Sequence, residues 1–279
     1  MRINIVRIVP PSYIHYRCFD EIVGCIEAIC KKEKMQYGTS VNTFRNNWTN
    51  IVIGAHLWHD EGLKSIPEYA IIFNTEQIGC SLRFMRRTYT DALLCHKVLD
   101  YSLKNIDNLK VFNPDIDIKY VRIGYDDSLV KIKGKTEETI DVLFYGSIKE
   151  RRQQVLDKLK AEGLIVSTIF GLYGKERDAI IADSKIILNI HAHENQILES
   201  VRLSYLMANR KAIVSECEYT TEIYPEYKDG LSLGPVENIT ERCNNLLFNK
   251  VERAFLEEEA LTAIKQISFR DEFINALTN

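Results

Sequence analysis

The stretch Leu188-Asn-Ile-His191-Ala-His193-Glu194-Asn-Gln-Ile-Leu-Glu199-Ser-Val-Arg202-Leu-Ser-Tyr205-Leu-Met-Ala-Asn-Arg-Lys-Ala212-Ile-Val214-Ser-Glu216 reads as strand, polar loop, amphipathic helix, strand. Ile186 to Ile190 is dominated by β-branched residues and leucine, as a buried strand is, and His191 to Asn195 interrupts it. Apolar residues then recur at Leu198, Val201, Tyr205 and Ala208, the spacing of one helical face. Ala212 to Val214 closes the pattern as a second buried strand. A strand, helix and strand of this length form a parallel crossover, and open parallel sheets bind ligands at the carboxyl ends of their strands. His191, His193 and Glu194 sit on the loop at such an end.

The alternation extends in both directions. Upstream run a strand at Ile140 to Tyr145, the turn Gly146-Ser147, a helix at Arg151 to Glu162, a strand at Leu164 to Phe170 and a helix at Lys175 to Ala182. Downstream come a short strand at Leu231 to Leu233, a helix at Asn238 to Phe248 and helical segments to the end. The first half carries strands at Ile3 to Val9, Thr49 to Ala55, Tyr69 to Phe73, Val98 to Tyr101 and Ile118 to Ile123. Its helices are expected at Phe19 to Lys32, Ser81 to Cys95 and Ser102 to Leu109. Gly124 to Thr139 is charged, has little to bury and reads as a linker. The expected architecture is α/β: two Rossmann-like domains, residues 1–135 and 136–279, facing across a cleft lined by strand-exit loops.

Composition bounds the function. Of 279 residues 46% are hydrophobic and 27% charged, with a net charge of -3. Lysine and arginine outnumber acids by 19 to 17 up to Thr139 and trail them by 17 to 22 afterwards, too weak an asymmetry to announce a nucleic-acid protein. No apolar run approaches the ~18 residues of a membrane span, and the chain opens directly into a strand, so a cytoplasmic protein is expected. The seven cysteines are odd in number and scattered without a Cys-x-x-Cys pair, which points to packing rather than to disulfides or zinc. Neither Gly-x-Gly-x-x-Gly nor a Walker-type loop occurs, which disfavours dinucleotide enzymes and ATPases.

The chemistry-bearing residues cluster at strand exits. Gly146 and Ser147 follow a strand and precede a helix bearing Arg151 and Arg152; such a turn grips a diphosphate, or is simply a capped helix with a solvated Arg-Arg face. Glu199 can accept hydrogen bonds from ribose hydroxyls, with Arg202 orienting it or reaching a phosphate, although spacing alone favours an ordinary i, i+3 ion pair. In the first half, His56, His59, Asp60 and Glu76 lie on exit loops and are candidates for a base. Of these Glu76 is preferred. The His-x-x-His of His56 and His59 departs from metal-binding patterns, and no metal is expected. Tyr13 and His15 follow the first strand, and Arg83, Arg86 and Arg87 share a helix face able to steer an anionic acceptor.

The sequence Leu143-Phe-Tyr-Gly-Ser-Ile-Lys-Glu-Arg-Arg152, with Leu188-Asn-Ile-His191, Glu199-Ser-Val-Arg202, Val214-Ser-Glu216 and Lys228-Asp-Gly230, resembles the donor-binding half of GT-B glycosyltransferases of the group 1, family 4-like kind. The resemblance runs from about Asp141 to Leu247. It implies a nucleotide-sugar donor such as a UDP- or GDP-sugar, used as a co-substrate without a cofactor or bound metal, and a last helix crossing back to the first domain. Gly146, Ser147, Arg151 and Arg152 would meet the diphosphate. Glu199 would match the later acid of the family's Glu-x7-Glu pattern, and because His191 stands eight places before it, the earlier partner would be His191, His193 or Glu194. The expected activity is transfer of a sugar to a hydroxyl of a saccharide or surface glycan, or to a hydroxymethylated base in DNA. Tyr13, His15, Arg83 and Arg87 are the expected acceptor contacts, and a monomer or weak homodimer is expected. The competing readings are a non-catalytic nucleotide-sugar binding module and a sugar-nucleotide epimerase.

Overall fold

The computed structural model describes residues 1–78, 86–191 and 197–278. The chain divides into two compact units, Met1–Ile123 with Ser268–Asn279, and Gly124–Ile267. The division falls after Ile123, ahead of the boundary expected at residue 135.

The first unit is built on strands β1 (Arg2–Arg7), β2 (Gln36–Val41), β3 (Thr49–Ile53), β4 (Ile71–Asn74), β5 (Lys97–Asp100) and β6 (Ile118–Tyr120), in the order β2-β1-β3-β4-β5-β6 and parallel throughout. Central strands of a parallel sheet are covered on both faces and therefore read as continuous apolar runs. Ile5, Val6, Ile51, Val52, Ile72, Val98 and Leu99 are wholly buried. β2 was not anticipated. It is an edge strand of mostly exposed polar residues, held in register by pairs such as Ile5 with Thr39, so it carries no hydrophobic signature. Helix α1 (Asp20–Lys32) turns Ile22, Ile26, Ile29 and Cys30 inward, and its acidic first turn and basic last turn complement the helix dipole. α2 (Asp60–Lys64), α3 (Arg87–Cys95) and α4 (Leu103–Lys110) follow. Cys25 and Cys30 are buried, as packing cysteines are, whereas Cys18 lies on a 3-10 turn before the helix and is exposed.

The last helix (Phe269–Thr278) belongs to this first unit. Phe269 stacks on Phe73 with ring centroids 6.3 Å apart, and Phe269 and Phe273 are buried. Burial of each phenyl contributes about 1.5–3 kcal/mol. Glu272 accepts from the Arg122 guanidinium and backbone N–H, and Arg270 donates to Glu33 at 2.6 Å.

The second unit carries β7 (Ile140–Tyr145), β8 (Val166–Ile169), β9 (Ser184–Asn189), β10 (Ala212–Glu216) and β11 (Ser232–Gly234), parallel in the order β11-β10-β9-β7-β8. Its helices are α5 (Glu150–Ala161), α6 (Lys175–Ala182), α7 (Ser200–Ala208), α8 (Ile239–Phe248) and α9 (Lys250–Lys265). Val142, Phe144, Ile186, Leu188 and Val214 from the sheet pack with Val155, Leu156, Ile239 and Cys243. α7 is more buried than its expected amphipathic face requires: Leu203 to Ala208 are all buried, because α9 packs against it.

Gly124 to Thr139, expected as a linker, is tied into this unit. The Asn209 side chain accepts from the backbone N–H groups of Lys131 and Ile132, both at 2.8 Å, and donates to the carbonyls of Leu129 and Tyr205. Lys135 and Thr139 bind Asp183, and Lys211 pairs with Glu138 at 2.8 Å. Gly124 has no room for a side chain, since a Cβ there would stand 2.2 Å from the carbonyl oxygen of Ile267. These are polar contacts with residues distant in sequence, which hydrophobic pattern does not report.

Candidate functional site

Each sheet reverses its strand order once, and there the exit loops diverge and leave a crevice. In the second unit the reversal lies between β7 and β9, so the loops at Gly146 and His191 flank it. Gly146 has φ +143°, a conformation costly for residues with a Cβ, and a Cβ there would stand 3.2 Å from Nη2 of Arg202. The absence of a side chain at Gly146 thus lets the Arg202 guanidinium lie close against the turn. Arg202 also stacks over the Tyr145 ring at 4.8 Å and donates to Oδ1 of Asn189 at 3.1 Å.

Glu199 is the residue that precedes α7, rather than a member of its polar face as expected. No direct ion pair joins it to Arg202 among the described contacts. Instead Asn189 bridges them, donating to Oε2 of Glu199 at 2.8 Å while accepting from Arg202. Nδ1 of the buried His191 donates to Oε1 of Glu199 at 3.0 Å. Burial alone would raise the Glu199 carboxyl, but the His191 hydrogen bond and charge, Arg202 and Asn189 together bring it down to about 2. Burial likewise opposes protonation of His191, yet Glu199 and Glu216 raise it above the ordinary histidine value. The result is a carboxylate held ionised, each oxygen keeping acceptor capacity for a ligand hydroxyl.

The two adjacent arginines separate. Arg151 makes a two-pronged ion pair with the buried Glu216, whose Oε2 also accepts from the His191 backbone N–H at 2.9 Å. Arg152 is buried beside the Phe144 ring and spends its guanidinium on the carbonyls of Ile190 and Ser147. Burial, then the neighbouring Arg202 charge, lowers it to about 10, so it stays charged. The diphosphate contact expected of Arg152 therefore gives way to a structural part: it knits the β7 exit to the β9 exit. Ser147 is held through its carbonyl by this contact. Asn189, Ser215 and Glu216, which stand in the resembling motifs without an assigned role, are members of the cluster; Asn189 donates to Ser215 at 3.0 Å. His193 and Glu194 lie outside the described residues.

In the first unit the reversal lies between β1 and β3. His56 sits on the 3-10 turn Ala55–Leu57, edge-on to Phe19 and Tyr89. Its Nε2 is 3.3 Å from Oε1 of Glu76 on the β4 exit. Burial and then the Arg86 charge lower His56 to about 4, so its ring is neutral near neutral pH. The protein crowded around Glu76 pushes its carboxyl up to about 7, although 43% of the side chain is exposed. Tyr13 lies within electrostatic reach of Glu76 and packs edge-on to His15 at 5.0 Å.

The remaining candidates do not join them. His59 caps α2, accepting from the Gly62 N–H at 3.0 Å, and Asp60 is paired at 3.1 Å with Arg86, the residue that precedes α3. Arg87 is exposed and paired only loosely with Asp91 at 4.0 Å. Arg83 lies outside the described residues. Among the described residues no three His, Cys, Asp or Glu side chains are grouped to hold a metal ion. A cavity of about 550 Å³, lined by Thr49, Ala70, Ile71 and Lys97, opens at the amino ends of β3 to β5, the end of the sheet away from His56 and Glu76.

No protein-family model matches the chain. Two mimivirus relatives, the uncharacterized proteins L137 and L140, are 34% and 30% identical over 182 and 153 residues, or 61% and 52% of this chain. The chain spans 24% and 48% of their lengths. Among solved structures the chain is similar to a DNA-modifying β-glucosyltransferase crystallised with and without uridine diphosphoglucose, at 13% identity and a TM-score of 0.64. It is also similar to T4 phage BGT in complex with UDP and Mn2+, at 14% identity and 0.63, and to Anabaena HepE in complex with UDP and glucose, at 9% and 0.64. Each match covers 100% of both chains. The chain has the GT-B fold.

Proposed function

We propose that this GT-B chain is a glycosyltransferase that moves a sugar from a nucleoside diphosphate sugar, UDP-linked in the first instance, to a hydroxyl acceptor. The observation that carries the reading is the cluster at the strand reversal of the second unit: an ionised Glu199, the Gly146 turn and the Arg202 guanidinium beside it. Glu199 would accept from ribose hydroxyls, and Arg202 with the turn would meet the diphosphate. The solved structures holding UDP or its glucose conjugate support this choice.

Transfer breaks the bond between the anomeric carbon and the diphosphate oxygen and forms one to the acceptor oxygen. Negative charge grows on the leaving diphosphate, so fixed cations and N–H dipoles there give the largest help. Arg202 supplies such a cation. The acceptor hydroxyl must lose its proton, and Glu76, near 7 and beside a neutral His56, is suited to take it. The first unit carries 17 lysines and arginines against 15 acids. This near balance neither requires nor excludes hydroxymethylated DNA, whose binding rests on many phosphate contacts, so the proposed acceptor is a hydroxyl of a saccharide or of such a base. Among the described residues no helix is long and apolar enough to cross a membrane.

The test is thermal shift of the protein with UDP, GDP, CDP, ADP and their sugars, with and without EDTA, followed by release of UDP from UDP-glucose. A ligand at ~100 times its Kd stabilises by ~2.7 kcal/mol. The reading expects a shift with one nucleoside diphosphate that survives EDTA, and turnover lost in Glu76→Gln with that shift intact. Absence of a shift with all of them sinks the donor site, and full turnover in Glu76→Gln removes the base assignment.

A further inference from the structure

The loop that carries Glu76 is held by an unusual concentration of buried side-chain amides. Asn74, the last residue of β4 and fully buried, accepts at Oδ1 from the Glu76 backbone N–H (3.0 Å) and the Tyr89 hydroxyl (2.6 Å). Its Nδ2 donates to the Glu76 carbonyl (2.9 Å) and to Oδ2 of Asp100 (2.6 Å). An amide side chain has two donors and two acceptor sites, so Asn74 is saturated. Asn105, also fully buried, donates to the same Glu76 carbonyl (2.9 Å) and to Oδ1 of Asp100 (2.9 Å), and accepts from the Ile78 N–H (2.7 Å). Asp100, at the end of β5, anchors both asparagines and accepts from the Ser102 N–H (2.9 Å). Both backbone polar groups of Glu76 are thus bound by side chains instead of a sheet ladder.

A buried carboxylate at a strand end costs stability unless every lone pair is used, and a hydrophobic pair would fill the same space more cheaply. What this network adds is direction: it fixes the peptide on both sides of Glu76 and so the line from its Cα toward His56. We infer that Asn74, Asp100 and Asn105 are positioning residues for Glu76, setting where its carboxyl points without touching substrate. The inference rests on the reading of Glu76 as the base that takes the acceptor proton.

Two readouts separate the inference from that reading. Release of UDP from UDP-glucose gives turnover across pH, and long-range 1H–15N NMR of His56, assigned by loss of its signal in His56→Gln, reports the Nε2 contact with Glu76 without any turnover. Asp100→Asn keeps shape but turns a donor toward Asn74 or Asn105. It is expected to lower kcat on the order of 10- to 100-fold at unchanged donor KM, since small misplacements of a catalytic group cost that much. It should also shift the acidic limb of the pH profile and the His56 Nε2 signal. Tyr89→Phe removes only the hydroxyl that donates to Asn74, and should move both readouts the same way by less; if Asp100→Asn does not fold, Tyr89→Phe decides by the same measurements. Folded variants with wild-type turnover, pH limb and His56 signal overturn the inference. Retained turnover in Glu76→Gln overturns the base reading instead, and positioning is then judged on the His56 signal alone.

Discussion

Replacing Glu199 by Gln removes one charge and little volume from the cluster at the β9 exit. The wild-type carboxyl falls from 4.5 to about 2 because His191, Arg202 and Asn189 outweigh its burial. At 1.36 kcal/mol per pKa unit, this corresponds to about 3 kcal/mol of stability where both Glu199 and its partners are charged. The sign follows from the direction of the shift: a lowered carboxyl stabilises above its unfolded value and loses that contribution as pH falls from about 4.5 toward 2. His191 moves the opposite way. Its raised value stabilises below the ordinary histidine range and fades as pH rises through the folded value. The gap between wild type and Glu199→Gln should therefore be widest between about pH 4.5 and 6.5, the two ordinary values, and narrow on both sides. Urea unfolding at intervals from pH 3 to pH 9 measures it, each variant compared with wild type at the same pH. A gap that is flat across this range, or below about 0.5 kcal/mol at pH 6, refutes the electrostatic account of the cluster.

Arg202→Ala should weaken UDP binding on the order of 10- to 100-fold with modest loss of stability, while Arg152→Ala, stripping the buried Ile190 carbonyl and the Ser147 carbonyl of their donor, should cost about 2–4 kcal/mol and be read first in the melting temperature. Equal binding losses with equal stability in the two variants contradict the assignment of separate parts. Gly146→Ala should destabilise by about 1–2 kcal/mol from backbone strain and weaken UDP further by crowding Arg202, measured by calorimetry; wild-type affinity would show that the turn does not face the donor. Asn209→Ala orphans the N–H groups of Lys131 and Ile132 and should cost about 2–4 kcal/mol in urea unfolding, with early cleavage between residues 124 and 139 under limited proteolysis. An uncut, fully stable variant would mean that the segment is held otherwise.

The alternation of strands and helices was legible because burial imposes periods on the chain. β7 occupies Ile140 to Tyr145 and α6 Lys175 to Ala182, as apolar spacing predicts, and most other elements differ only at their ends. The candidate site was legible in part, because Gly146, Glu199 and Arg202 stand in the motifs that resemble a donor-binding half, while their spacing alone allowed a capped helix and an ordinary ion pair. Asn74, Asp100, Asn105, Asn189 and Asn209 were not. A short polar residue reads locally as a turn former, and only a partner dozens of residues away makes it a buried clamp. β2 escaped for a related reason: an edge strand of polar residues has no buried face to print a pattern.

The neighbours Arg151 and Arg152 show where local reading ends. Successive helical residues point about 100° apart, so one guanidinium reaches Glu216 on β10 while the other turns beneath the loop to the carbonyls of Ile190 and Ser147. By itself the sequence determined that two runs of parallel strands and helices would form and which loops would leave their carboxyl ends, because hydrophobic period and strand direction are properties of the local chain. Only the tertiary structure decided which charges on those loops meet one another, which are spent on backbone carbonyls and which face outward, because hydrogen bonds and desolvation depend on what folding brings alongside.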